Sequence, residues 1–448
     1  MKEAKQMEEL LESAADKGMF NGVMLIARGR QILYQGAHGW ADCDSGRMLN
    51  PDTVFELASL SKPFTAAGIM LLEQQGRLGY DDPIEDWLED IPYSGMTIRH
   101  LLHHTSGLPD YMLLFLEHWD RSRIAVNDDV LSMLKRYRPP VLFAPNERWM
   151  YSNTGYVLLA ILIERISGLS FAEFMKQELF HPLGMHRTCV FNRRLAGRKL
   201  TNDAIGYSYD WKRHDYRLPE ELEDQDFVVY LDGIQGDGTV QSTIEDLYRF
   251  DRAIEAGELI TKTAWMEAFT PGRLNNGEAF DYGFGWIISE DDSKGKSVSH
   301  SGGWPGYYTM MTRYLDNDQT LIYLSNTDRD IESQQAVIQA AESILFGQPV
   351  PIPEPKAQPE AIPLDPAVYA GYEGDYVLED GQHLKVKIVQ DCLVLLLPGQ
   401  PSYELYPLSS TLFFIIVPEV RVEFAADEYG RAEELIIHQL GQHRAVRV

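Results

Sequence analysis

Residues 56–76 read ELASLSKPFTAAGIMLLEQQG. From Ser59 to Gln75 the apolar residues recur with helical spacing, and Gly76 supplies a stop. Pro63 is tolerated only in a first helical turn, which fixes the start of the helix close to Ser59. Ser59 and Lys62 then share one face, with Cβ atoms about 5–6 Å apart, so that the lysine amine can reach the serine oxygen. The amino-terminal end of a helix offers free N–H groups and a dipole that favour developing negative charge at Ser59. The run AAGIMLLEQQ predicts burial, and burial would push the Lys62 amine toward its neutral, proton-accepting form. The bland alternative is that Ser59 is an N-cap. S-x-x-K alone decides nothing, because it recurs at Ser132/Lys135, on an amphipathic helical pattern, and at Ser293/Lys296, in a polar turn.

Outward from this stretch, residues 3–18 suit an amphipathic helix, and GVMLIARGRQILYQGAHGWAD reads as two strands around Arg28-Gly29-Arg30. Residues 80–270 read as mainly helical with many loops. Strand patterns return in FGWIIS, SVSHSG, YYTMMTRYL and QTLIYLSN, and a helix follows over about residues 331–346. Strands, a long helical insertion, strands and a helix imply an antiparallel sheet completed by both ends, flanked by helices, with an inserted α-rich subdomain. The class is α+β, because helices and strands are segregated. QPVPIPEPKAQPEAIP, residues 348–363, is too proline-rich for a helix or central strand and reads as a stiff linker. Six strand patterns in residues 364–448 predict a small all-β barrel or sandwich. The expected domains are therefore 1–347 and 364–448, joined by 348–363.

Two more segments carry chemistry. MYSNTGY places Tyr151 and Asn153 in a Y-x-N on a loop before a helix: a phenol that can shuttle a proton and an amide that can bond a substrate amide. SVSHSGGWPGYY places His300, Gly302 and Gly303 at the end of a strand pattern, where paired glycines admit close approach of another backbone. The ordinary readings are a turn histidine and a tight bend.

S-x-x-K at Ser59, Y-x-N at Tyr151 and H-x-G at His300, in this order and spacing, resemble the penicillin-recognising serine hydrolases: class C β-lactamases, D,D-peptidases and related esterases. IRHLLHHTSGLPDY from Ile98 is typical of the class C branch, and the resemblance spans roughly residues 15–346. It implies Ser59 as acylated nucleophile, Lys62 and Tyr151 as the groups that move its proton, and backbone N–H groups of Ser59 and Gly303 as oxyanion donors. It implies Asn153, His300 and Gly302 as substrate-binding residues. The class C β-lactamases carry lysine where this chain has His300. A histidine there, partly charged near neutrality, points to a peptidase acylated by penicillin rather than to an efficient β-lactamase. The implied partners are peptidoglycan-derived peptides and β-lactams, with no cofactor and no metal. Esterase, D-aminopeptidase or weak β-lactamase activity is the alternative within this chemistry, and a non-catalytic penicillin binder or scaffold the alternative outside it.

A formal net charge of −27 repels phosphate backbones, which disfavours nucleic acid as a partner. Three separated cysteines form neither a disulfide framework nor a zinc cluster. His103-His104 lacks the acidic partner and spacing of a metal site. The loop GIQGDGTVQST, residues 233–243, lacks the P-loop lysine, and the resemblance places it near the site as structure. No G-x-S-x-G is present. The polar N-terminus has no apolar export segment, and no run of eighteen apolar residues occurs, so no transmembrane segment is expected. These features alone predict a cytoplasmic protein, whereas the resemblance implies the cell envelope. Oligomeric state is not legible.

Overall fold

A computed structural model describes residues 2–448, except 90, 211–212, 214, 223, 356–360, 379–382, 390–391, 398–402, 416–419, 428–429 and 439–441. The chain divides into two compact units, Met1–Pro355 and Lys356–Val448. The middle of the expected linker, 356–360, lies outside the described residues.

The first unit is organised by a six-stranded antiparallel sheet. Its strands are β1 (Gly22–Arg28), β2 (Gln31–His38), β3 (Ile287–Asp291), β4 (Gly295–Trp304), β5 (Tyr307–Tyr314) and β6 (Gln319–Ser325). They lie in the order β3-β4-β5-β6-β1-β2. β1 pairs with β6 in the register Leu25↔Ile322, so the two ends of the unit complete one sheet. Val23 to Ala27 are all buried, because both faces of the central strands are covered. The strand period of two divides them between two cores. Met24 and Ile26 pack with Leu321 and Tyr323 against helices α1 (Lys2–Asp16) and α5 (Ile331–Leu345). Val23 and Leu25 turn to the other face, toward helices α2 (Lys62–Gln74), α3 (Asn153–Ser167) and α4 (Ile244–Ala256). Each of these buried aliphatic side chains contributes about 1.5–3 kcal/mol.

α2 begins later than its sequence pattern predicts. Ala58–Ser61 form a 3₁₀ turn, the α-helix starts at Lys62, and Pro63 occupies its first turn. Ser59 is therefore not an N-cap; it sits in the turn that feeds the helix. Ala58, at φ 49°, holds the left-handed conformation that redirects the chain into this turn. A side chain bearing a Cβ adopts that conformation at a cost of about 1–2 kcal/mol.

The second unit is a closed antiparallel barrel of eight strands, β7–β14, in simple up-and-down order. They are β7 (Gly374–Leu378), β8 (His383–Val389), β9 (Cys392–Leu396), β10 (Tyr403–Pro407), β11 (Leu412–Ile415), β12 (Val420–Ala426), β13 (Ala432–His438) and β14 (Gln442–Arg447). Two of them, β7 and β14, escape the sequence reading. β14 buries only Ala445, half-buries Arg447 and leaves Gln442, His443, Arg444 and Val446 exposed, so it lacks an apolar alternation, yet it pairs with β7 and closes the barrel. Phe413, Phe424, Tyr376 and Leu393 fill the interior. Among the described residues no helix is long and apolar enough to cross a membrane.

Candidate active site

The short strand Phe55–Glu56 pairs with residues 241–242, and Leu57 N–H continues the contact by donating to the Val240 carbonyl at 2.9 Å. Ser61 Oγ accepts from Val240 N–H at 3.0 Å, and Thr65 Oγ1 donates to the Gly236 carbonyl at 2.6 Å. The loop 233–243 thus grips the turn that carries Ser59. On the opposite side, Thr309 Oγ1 of β5 donates to the Leu57 carbonyl at 2.7 Å.

Ser59 is half-buried and Lys62 is fully buried. Lys62 Nζ lies 3.0 Å from Ser59 Oγ, 2.9 Å from Asn153 Oδ1 and 2.8 Å from the Asp237 carbonyl. The last two partners can only accept. A neutral lysine would spend both its hydrogens on them and turn its lone pair toward Ser59, the one partner able to donate. The arrangement can therefore deprotonate the serine hydroxyl directly.

Tyr151 meets Lys62 through its ring, whose centroid is 4.8 Å from Nζ, and makes no hydrogen bond to Ser59 or Lys62. Its ring centroid lies 4.4 Å from that of His104, with the two rings tilted by 38°. Asn153 begins α3, placed by the Ser152 N-cap, whose side chain accepts from Gly155 N–H.

The glycines of β4 differ in role. A Cβ on Gly302 would fall 2.0 Å from the Leu57 carbonyl oxygen and 3.0 Å from Leu60 N, so this glycine lets β4 press against the nucleophile's turn. Gly303 is exposed, and a Cβ there would meet nothing within 4 Å. β3 pairs with β4 only as far as Ile287↔Ser299, and among the described residues nothing continues that edge beside 300–304. An open sheet edge therefore lies next to the turn of Ser59.

His300 departs from expectation. It is buried, with Nδ1 2.6 Å from the Ser301 carbonyl and Nε2 3.0 Å from Tyr282 Oη. A carbonyl can only accept, so Nδ1 carries a hydrogen, and in the neutral ring Nε2 then receives the phenol. Burial, with Lys62 nearby, pushes the imidazole down to about 3. The ring is neutral, which corrects the expected partial charge. The expectation rested on the free imidazole and took no account of its desolvation.

Four other residues complete the site. Tyr111 donates from its hydroxyl to Asp237 Oδ2 at 3.0 Å, and burial raises the Asp237 carboxyl. Tyr282 caps His300. His104 is fully buried: its carbonyl accepts from Met150 N–H at 2.9 Å and its Nδ1 from Ser152 N–H at 3.0 Å, bracketing Tyr151. Its Nε2 has no partner. Signals for three of them were present, in HHTSG, LPDY and the loop 233–243, but none of these segments has a spacing that names a role.

Residues 5–345 match the model of the Beta-lactamase family. The chain belongs to the beta-lactamase family. Within it, the chain is similar to penicillin-binding protein 4* of Bacillus subtilis (strain 168), with 50% identity over 444 residues, 99% of this chain and 98% of that protein. It is 34% identical over 342 residues to esterase EstB of Burkholderia gladioli, 68% of this chain and 85% of that protein. The crystal structure of a penicillin binding protein from Bacillus halodurans aligns at TM-score 0.65 and 27% identity, covering 75% of this chain and 98% of that one. Members of the beta-lactamase family are serine hydrolases.

Proposed function

We propose that this protein is a penicillin-binding D,D-peptidase that cleaves D-Ala-containing peptidoglycan peptides through an acyl-enzyme at Ser59. The reading rests chiefly on one observation: Lys62 Nζ is 3.0 Å from Ser59 Oγ while its two other partners can only accept. Ser59 Oγ bonds to the scissile carbonyl carbon as its proton passes to Lys62. The tetrahedral oxyanion rests between the N–H groups of Ser59 and Gly303, where loss of one donor typically costs about 10²–10³ in rate. The carbon–nitrogen bond breaks, and the proton reaches the leaving amine through Lys62 and Tyr151. Catalytic hydrogen bonds often tighten only in the substrate complex, which gives the Tyr151 phenol its place in the relay. Water then hydrolyses the serine ester. Asn153 orients the substrate amide, and the open edge of β4 beyond Ser299 receives the extended peptide.

Prolonged incubation with a fluorescent penicillin is expected to label the native protein and not Ser59→Ala, and D-alanine release from a muropeptide is expected to depend on the same serine. A native protein that never labels and releases nothing sinks the proposal. A second reading, ester hydrolysis, draws support from the uncharged His300 and from the likeness to an esterase. Short acyl esters turned over with no action on D-peptides would select it.

A further inference from the structure

Among the described residues, the site holds no free cation. Lys62 is fully buried with all three of its bonding positions occupied. His300 offers no N–H to a ligand, because the Ser301 carbonyl takes one ring nitrogen and Tyr282 the other. Among the described residues, Lys62 is the one lysine or arginine whose charge acts on His104, Asp237 or His300. The other polar groups include the amide of Asn153, the phenols of Tyr151 and Tyr111, and the Asp237 carboxyl that the Tyr111 phenol bonds, none of them a cation. Met112 Sδ, 3.9 Å from Asn153 Nδ2, and the half-buried Trp304 add uncharged surface. A peptide along the open edge of β4 with a carboxylate adjoining its scissile bond would bring that anion into a site where neither Lys62, whose bonding positions are taken, nor His300, whose ring nitrogens are both engaged, is free to neutralise it. Burying an unpaired charge is far costlier than burying a neutral amide, which needs only hydrogen bonds.

We infer that the site selects against a free carboxylate adjoining the scissile bond, so that internal or amide-capped D-peptide bonds are its preferred substrates and His300, held by Tyr282, sets that preference. The inference rests on the acyl-transfer chemistry proposed above and narrows its substrate class to endopeptidase-type bonds.

The test is a matched pair: an N-acetylated L-Lys-D-Ala-D-Ala peptide with a free C-terminus and the same peptide as its carboxamide, with kcat/KM measured by mass spectrometry. The carboxamide is expected to be cleaved about tenfold faster. A carboxamide advantage below about threefold overturns the inference. Acylation of Ser59 by benzylpenicillin and by its methyl ester gives the same ratio without needing turnover, and the same threshold applies. His300→Lys is expected to shift either ratio toward the carboxylate; an unshifted ratio in the folded variant removes His300 from the account. If Ser59 is acylated by none of these compounds nor by a simple activated ester, the acyl-transfer reading fails and takes this inference with it. Acylation with the opposite preference defeats this inference alone.

Discussion

The two units of this chain have different interiors. Among the described residues, the first unit buries Lys62, His104, His300, Asp251 and Arg313, whereas the barrel buries no charged or polar side chain beyond its tyrosines. Those tyrosines hand their hydrogens to nearby carbonyls, Tyr376 to Tyr372 and Tyr372 to Ser410. The barrel interior is therefore bought with apolar area alone. The first unit keeps ionisable groups out of water, which destabilises it unless each group is bonded. Some are structural: Arg313 Nη1 meets Asp251 Oδ1 at 2.9 Å, and Thr320 caps the same carboxylate at 2.9 Å, tying α4 to the sheet. Others, at Lys62 and Ser59, leave one hydrogen-bonding position facing a reactive hydroxyl. What separates a site from a core here is a buried polar group whose bonding is complete only if it accepts a proton.

Lys62→Met breaks that contrast most sharply, because it gives the site an interior of the barrel's kind. Acylation of Ser59 by a β-lactam is expected to fall about 10²–10⁴-fold, the range of a lost general base. Folding stability is expected to change by less than about 2 kcal/mol, since an apolar side chain of similar volume replaces a buried polar one. Stopped-flow acylation and denaturant titration measure the two. A variant that unfolds as it loses activity would make Lys62 a structural lysine.

In the barrel the same logic runs in reverse. Phe413 is fully buried and sits edge-on to Phe424, with ring centroids 5.5 Å apart. Phe413→Ala is expected to cost the barrel about 3–5 kcal/mol through lost burial and an unfilled cavity. Hydrogen exchange of amides in β11 and β12 reads this loss, and the acylation rate constant of Ser59 is expected to stay within about twofold. A fall in acylation as large as that in Lys62→Met would end the division of labour between the two interiors.

The contrast also explains what was legible. Apolar alternation announced six barrel strands and the sheet of the first unit, because burial writes itself into sequence with a short period. β14 was silent because its neighbours, and not its own composition, hold it in the ladder. Spacing brought Ser59 and Lys62 together, since three residues fix their distance in either a 3₁₀ or an α turn. It could not reveal the Asp237 carbonyl on Lys62, or Tyr282 on His300, where the contact joins distant segments. It also mistook the charge of His300, because desolvation is a property of what surrounds a residue. His104 had a bland reading as a non-ligand, and nothing in HHTSG said that it would bracket Tyr151.

The smallest expected effect lies at the border between the two kinds of interior. Glu56 is half-buried beside the nucleophile's turn, and burial, reinforced by Asp232 and opposed by Arg194 and Arg193, pushes its carboxyl up to about 7. Its folded value exceeds its unfolded value of 4.5, so the folded state holds the proton more tightly. The stabilisation from the neutral carboxyl is then fully present below pH 4.5 and lost as pH rises through about 7, because the unfolded chain binds fewer protons across that window. With partial solvent exposure discounted, the loss between pH 5 and 8 is expected to be about 2 kcal/mol. Glu56→Gln keeps the neutral shape and should flatten this slope while leaving Ser59 acylation at pH 6 within about threefold. Urea midpoints for the first unit at pH 5 and pH 8 decide it. If the glutamine variant retains the native pH slope, the carboxyl is ionised in the folded protein and its charge is matched by Arg193 and Arg194. Glu56 would then belong with Asp251 and Arg313, whose charges are paired, and not with the neutral polar groups that line the site.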